Sequence, residues 1–84
     1  MKKKLNQLAV DEQAVIIQHH AEGAIRQRLM DLGLLPQTSI KLVRYAPLGD
    51  PIQVKVGRAN VSLRRAEAET VWVELIDSGK ETRQ

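Results

Sequence analysis

Cysteine and phenylalanine are absent from this chain of 84 residues, and its aromatic residues are one tyrosine and one tryptophan. Without cysteine the chain forms no disulfide, no thiolate metal site and no cysteine nucleophile, so a hydrophobic core is the evident source of its stability. Two aromatic rings are too few for a platform on which several unpaired bases stack. The composition therefore disfavours thiol chemistry and single-stranded nucleic-acid binding.

Long apolar runs are also lacking. The run at residues 14–17 is far shorter than the ~20 residues that span a bilayer, and no sustained apolar segment follows the three lysines at residues 2–4. We therefore expect a cytoplasmic protein. The net charge of +3 is compatible with nucleic acid, an acidic protein surface or solubility alone, and of these we favour a protein partner.

One segment has helical periodicity. Ile25, Leu29 and Leu32 recur at i, i+4 and i+7, which predicts a short α-helix at about residues 23–32. Gly33 is suited to the left-handed position after a helix, and Pro36 prevents the helix from continuing.

Two leucines follow this helix, and we predict different roles for them. Leu35 is expected to plug one end of the core, and Leu34 is weighed evenly between packing and contact with a partner.

The rest of the chain alternates as β-strands do. We predict strands at residues 14–20, 38–45, 52–56, 61–64 and 71–75, and a helical turn at about residues 65–69. Residues 1–4 are expected to be frayed, and Leu5 and Leu8 to form a turn that packs on the domain. The predicted fold is mainly β: a small, partly open SH3-like barrel of about five strands, forming a single domain at residues 1–76 with a disordered tail at 77–84.

The loop at residues 46–51 contains two prolines and a glycine around Leu48. Such a composition predicts a tight turn, and an apolar residue at its centre is either a core plug or a recognition residue. Asp50 is expected to form hydrogen bonds to nearby backbone amides of this turn.

Candidate chemistry is sparse. His19, His20 and Glu22 carry groups that bind Fe or Zn, but adjacent residues of a strand face opposite sides, which argues against a dedicated metal site. Asp31, in the last helical turn, is expected to pair with Arg28 or Arg44. We find no nucleophile beside a base, no paired carboxylates and no phosphate loop, and predict that the protein is not an enzyme.

Three blocks resemble the FeoA family. Residues 26–36, 46–52 and 63–68 read R-x-R-L-M-D-L-G-L-L-P, A-P-L-G-D-P-I and L-R-R-x-E-A, in the order and spacing of that family. The chain departs from the family pattern in two turns, at Asp11 and Gln37. The resemblance implies an SH3-like barrel that accompanies the ferrous-iron transporter FeoB, a membrane protein with a cytosolic GTP-binding domain. The same barrel occurs as the C-terminal domain of iron-dependent repressors.

From this resemblance we predict a non-enzymatic accessory protein of ferrous iron uptake that docks onto the cytosolic GTPase region of FeoB and lies at the inner membrane through that partner. The predicted partner-binding residues are Arg26, Arg28, Met30, Leu34 and Leu48. No cofactor is expected beyond weak binding of Fe or Zn. The alternative is a divalent-metal-responsive regulatory module that uses His19, His20 or Glu22, and a nucleic-acid binder is the least favoured reading.

Overall fold

The computed structural model describes residues 1–76, and the predicted tail at 77–84 lies outside the described residues. Within residues 1–76 the chain forms six strands, two α-helices and one 3-10 turn. Their bounds are β1 Lys2–Lys4, the 3-10 turn Leu5–Gln7, β2 Gln13–His19, α1 Gly23–Asp31, β3 Ser39–Tyr45, β4 Ile52–Val56, β5 Ala59–Leu63, α2 Arg65–Ala68 and β6 Val71–Leu75.

All six strands of the described chain pair antiparallel in one sheet, in the order β1-β6-β2-β3-β4-β5. Bulges lie in β2 between Ile16 and Gln18 and in β3 between Leu42 and Arg44. Each bulge adds a residue to one strand and increases its bend, so the sheet curves around the core. The mainly β, partly open barrel predicted from the sequence is confirmed, with one strand more than expected.

The core lies inside this curve and is filled by the inward residues of the alternating strands. In β4, for example, Ile52 and Val54 are fully buried whereas Lys55 is exposed. The buried apolar residues are Leu5, Leu8, Ala14, Ile16, Ala21, Leu29, Leu34, Ile40, Leu42, Ile52, Val54, Leu63, Ala68, Val71 and Val73. Burial of these side chains is the main favourable contribution to folding.

The N-terminal residues are ordered, contrary to the expectation that residues 1–4 fray. β1 pairs with β6, so that Lys2 lies opposite Glu74. The terminal ammonium of Met1 donates to the Glu74 carboxylate at 2.6 Å, and this hydrogen bond lowers the pKa of Glu74. The Lys4 ammonium lies 5.7 Å from the centroid of the Trp72 ring. Three consecutive lysines have little intrinsic strand propensity, and the pairing with β6 overrides it.

The turn after β1 buries Leu5 and Leu8, as predicted. The Tyr45 hydroxyl, at the end of β3, donates to the carbonyl oxygens of Leu8 and of Asn6, the latter at 3.1 Å. Burial of this hydroxyl raises the pKa of Tyr45. The N-terminal turn is therefore fastened to the far end of β3.

Helix α1 ends in a Schellman motif. Gly33 has a φ of +86°, its N–H donates to the Met30 carbonyl at 3.0 Å, and the Leu34 N–H donates to the Leu29 carbonyl at 2.9 Å. This pair of hydrogen bonds folds the chain back so that the residue after the glycine packs on the buried side of the helix.

The prediction that Leu35 plugs the core is therefore wrong, and Leu34 fills that place instead. Leu34 is fully buried, and Leu35 is 42% exposed.

Candidate functional site

Leu48 is the most exposed large apolar residue of the described chain, with 94% of its surface accessible. The loop that carries it is closed by two backbone hydrogen bonds: the Gly49 N–H donates to the Ala46 carbonyl at 2.7 Å, and the Ala46 N–H donates to the Pro51 carbonyl at 3.0 Å. A leucine held in water by a closed turn loses little conformational entropy when a partner covers it. The loop is therefore a preorganised apolar contact.

Asp50 fastens this loop to the element that follows β5. Its Oδ1 atom accepts a hydrogen bond from the Arg65 backbone N–H at 3.0 Å. Arg65 is the first residue of α2, where backbone N–H groups have no partner inside the helix. The expectation that Asp50 bonds to amides of its own turn is thus corrected: the amide lies near in space but 15 residues along the chain.

Glu67 joins α2 to α1. Glu67 is 6% exposed. Its Oε1 atom accepts a hydrogen bond from the Arg64 N–H at 2.8 Å, and its Oε2 atom lies 3.0 Å from Nε of Arg28. The Arg28 guanidinium also donates to the Ser62 carbonyl at 3.2 Å, on the outer edge of β5. Sequence reasoning missed this junction, although a glutamate three residues after the start of a helical turn signals such a cap.

Two residues singled out in the sequence form bonds within the domain. Arg28 is bonded within the domain rather than presented free to a partner. Asp31 accepts a hydrogen bond from the Gln27 amide at 2.9 Å, so the arginine pairing expected for it is replaced by a neighbour one helical turn earlier.

The remaining predicted partner-binding residues do not lie together. Met30 is 41% exposed and belongs to the end of α1, where a Cβ atom built on Gly33 would lie 3.7 Å from the Val56 side chain. Val56 pairs with Ile40 at one end of the β3–β4 ribbon, and the Leu48 loop connects the two strands at the other end. The domain thus exposes apolar side chains at two separate places.

Arg26 is exposed on α1, and Leu34, also predicted to contact the partner, is buried in the core.

The candidate metal ligands are not gathered by the fold. His19 is half-buried at the end of β2, whereas His20 and Glu22 are exposed beyond it. Among residues 1–76, no group of three or more His, Asp or Glu side chains is placed to hold a metal ion. His19 Nδ1 is buried and lacks a hydrogen-bond partner among the described residues. This nitrogen is therefore a single candidate metal ligand, with no further ligands grouped around it in that part of the chain.

Within that same part of the chain, neither helix has the length and apolar composition needed to cross a bilayer.

Comparison with known proteins identifies relatives over nearly the whole described chain. The family model of the FeoA domain matches residues 3–75. A fusion protein of Fe(2+) transport protein A and the Fe(2+) transporter FeoB, from Porphyromonas gingivalis, is 39% identical over 75 residues, which cover 89% of this chain and 9% of the fusion. The chain thus corresponds to about a tenth of that relative's length.

Two solved structures support the same relationship. The solution structure of the FeoA protein from Chlorobium tepidum superposes with a TM-score of 0.82 at 42% identity, covering 88% of this chain and 70% of that one. The crystal structure of Stenotrophomonas maltophilia FeoA complexed with zinc, described as a prokaryotic SH3 domain protein, gives a TM-score of 0.72 at 33% identity, covering 88% and 89%.

Proposed function

The chain belongs to the FeoA family, and from this membership we propose that it is a non-enzymatic accessory protein of ferrous iron uptake that docks onto the cytosolic GTPase region of a FeoB-type transporter. The family is linked to Fe(2+) transport, and in the Porphyromonas gingivalis relative the two proteins form one polypeptide. Such a fusion keeps the small domain beside the transporter at high effective concentration, as expected if the two act together. The proposed place of action is the cytoplasmic face of the membrane, reached through this partner.

The observation that carries the proposal is the exposure of Leu48 on a closed loop. Apolar residues that remain in water at the tip of an ordered loop mark binding surfaces, and a buried apolar anchor dominates the energy of many protein interfaces. Asp50 and α2 hold the loop in place, so the anchor is presented in one geometry. We assign Leu48 the role of principal anchor.

A second contact is proposed at the end of α1. Met30 and Leu35 are each about two-fifths exposed there, 41% and 42%. Leu35 takes the place of Leu34, which is buried. Arg26 supplies a positive charge on the same helix that orients the partner during encounter.

The polar contacts of the structure support a role without catalysis. Arg28 with Glu67, and Asp50 with the Arg65 amide, connect secondary-structure elements to one another. Groups used in this way contribute to rigidity, which an interaction module needs for preorganised binding.

Binding to the purified GTPase region of the cognate transporter tests the proposal. Leu48→Asp is expected to raise the Kd at least tenfold, corresponding to about 1.4 kcal/mol, because it places a charge in the apolar contact. Val10→Asp is the matched control, since Val10 is 52% exposed and lies outside both proposed contacts. Both variants should keep the wild-type Tm. If Leu48→Asp binds the GTPase region with the wild-type Kd, Leu48 is not the anchor. If the wild-type chain does not bind the GTPase region, the proposed docking is wrong.

The metal-responsive alternative rests on His19, His20 and Glu22, which the fold does not gather. The zinc complex of the Stenotrophomonas maltophilia relative makes it worth testing. An anaerobic calorimetric titration with Fe2+, repeated with Zn2+, is expected to give no saturable heat. Stoichiometric binding that His19→Ala abolishes would favour the alternative.

A further inference from the structure

The outer face of β3, β4 and β5 carries two lysines directly opposite each other. In the register of β3 and β4, Lys41 pairs with Lys55. Like charges at directly opposed positions destabilise a sheet. Lys41 lies 3.8 Å from the exposed Asp11 carboxylate, and Lys55 is exposed with no ion pair within residues 1–76. The fold therefore accepts an unfavourable pair on this face.

A third cation lies on the same face. The bulge after Leu42 turns Arg44 outward, opposite Gln53, which in turn pairs with Ser62 of β5. Arg44 is one row away from the lysine pair, a separation of about 7–8 Å for neighbouring rows of a sheet. Arg58, in the tight turn between β4 and β5, adds a fourth positive charge at the margin. None of the three strands contains an aspartate or a glutamate.

We call this surface the cationic face and define it by Lys41, Arg44, Lys55 and Arg58. Two shallow clefts lie on it. One cleft has a volume of about 190 Å³, and Arg44, Gln53 and Ser62 contribute to its lining. The other has a volume of about 340 Å³, and its polar lining includes Ser39 and Gln13 with both lysines. Neither lining includes an aspartate or a glutamate, although the Asp11 carboxylate lies 3.8 Å from Lys41. Cations combined with neutral hydroxyl and amide donors are the chemistry that binds phosphate groups.

We propose that the cationic face binds the anionic phospholipid headgroups of a membrane surface and so orients the domain beside its transporter. This inference rests on the proposed function, which brings the chain to a membrane. Each lysine or arginine that reaches an anionic membrane surface strengthens binding by about fivefold. Four such residues bind weakly alone, and their effect is to select an orientation for a domain already held by a protein contact.

The composition of the face favours lipid over other anionic partners. A stable protein interface has an apolar or aromatic centre, whereas the outward residues of these three strands are polar or charged apart from half-buried Val43. Tyr45, the only aromatic residue of β3 to β5, uses its hydroxyl to bond the N-terminal turn, so no ring is presented for base stacking. Charge without an apolar centre suits a diffuse layer of headgroups.

The N-terminal lysines do not form an equivalent surface. The Lys3 ammonium lies 3.6 Å from the Glu12 carboxylate, and Lys4 lies over the Trp72 ring. Their charges are partly satisfied within the domain. On the cationic face Lys41 has a carboxylate neighbour too, but Arg44, Lys55 and Arg58 have no ion pair among residues 1–76, which makes this face the stronger candidate.

Co-sedimentation of the full chain with lipid vesicles tests the inference without the transporter. Vesicles of equimolar phosphatidylglycerol and phosphatidylcholine should bind the chain, with affinity that falls as salt rises, and phosphatidylcholine vesicles should not. Lys41→Gln/Lys55→Gln should weaken binding by about 25-fold, two steps of fivefold. The control Lys2→Gln/Arg26→Gln also removes two positive charges, so both double variants have a net charge of +1 instead of +3. Because the control keeps the cationic face intact, it should bind the vesicles several-fold more tightly than Lys41→Gln/Lys55→Gln.

Other outcomes overturn the inference. Equal losses of vesicle affinity in the two double variants would show an effect of net charge alone. Release of the chain from the vesicles by inorganic phosphate, but not by chloride at equal ionic strength, would assign the clefts to free phosphate. An absence of vesicle binding combined with loss of GTPase-region binding in Lys41→Gln/Lys55→Gln would assign the face to an acidic protein surface. If Lys41→Gln/Lys55→Gln has a lowered Tm, vesicle binding by Arg44→Gln tests the cationic face instead. Leu48→Asp should keep vesicle binding while losing the transporter, which separates this inference from the proposed function.

Discussion

Two loops of this domain place leucine beside glycine and proline, and they end in opposite environments. In the loop after α1, Leu34 follows Gly33 and is fully buried; in the loop between β3 and β4, Leu48 precedes Gly49 and is 94% exposed. Both glycines have a φ of +86°. Similar composition and the same backbone conformation at glycine therefore do not decide burial.

The hydrogen bonds that close each loop decide it. The first loop closes onto a helix, and its Schellman bonds direct the next side chain back to the buried face. The second closes onto itself between two strands, and its leucine remains in water. The first leucine contributes to stability, and the second remains available for binding.

The largest expected difference in the free energy of unfolding is between the alanine variants of Leu34 and Leu48. Leu34→Ala should lower the free energy of unfolding by about 2–5 kcal/mol, because it leaves a cavity in a thin core. Leu48→Ala should change it by less than about 0.5 kcal/mol, as for an exposed residue. Urea unfolding of both variants measures the difference. Similar losses in the two would show that the Leu48 loop is folded against apolar surface in solution.

An intermediate effect is expected at the junction that joins the two regions. Arg28→Ala leaves the Glu67 carboxylate, 6% exposed, without its cationic partner and should cost about 1 kcal/mol, a modest value because half of the Arg28 side chain is in water. Arg26→Ala, on the same helix, should be neutral within about 0.5 kcal/mol. Chemical denaturation of the pair gives the comparison. If the two variants are equally stable, the Arg28 and Glu67 contact carries no net stability.

The smallest effect on stability, and the most specific for the exposed loop, is expected at Asp50. Asp50→Ala removes an acceptor from the first amide of α2 and should cost about 1 kcal/mol or less. Hydrogen exchange at Arg65 should accelerate, and the affinity for the transporter domain should fall even though Leu48 is unchanged. Asp50→Asn keeps a side-chain oxygen and should restore both. Unchanged exchange at Arg65 would contradict the fastening role.

Sequence patterns predicted what depends on local repetition. The strict alternation of β4 and the strand-forming residues of β6 predicted the observed bounds of both strands, and the i, i+4, i+7 apolar spacing located α1. The lack of any periodic position left Leu48 open between packing and contact with a partner, and the structure shows it exposed.

What depends on distant pairing was not predictable from local pattern. β1 exists because β6, some 70 residues later, pairs with it, and the opposition of Lys41 and Lys55 appears only once the register of two strands is known. Leu34 and Leu35 differ by one position, and the motif that ends the helix determines which of them faces inward. The candidate site was therefore partly predictable: Leu48 could be singled out from the sequence, but its exposure, the Glu67 junction and the cationic face could not be predicted.

The strand order has a consequence for synthesis. Among residues 1–76, β6 is the last strand, yet it lies between β1 and β2, near one side of the sheet. A ribosome therefore releases β1 long before its neighbour exists, and the segment from β2 to β5 must wait with one edge unpaired. Closure of a contact between residues so far apart in sequence is slow and comes late in folding. The nascent domain should resist protease only after residue 75 has left the exit tunnel, as a series of stalled chains of increasing length would reveal.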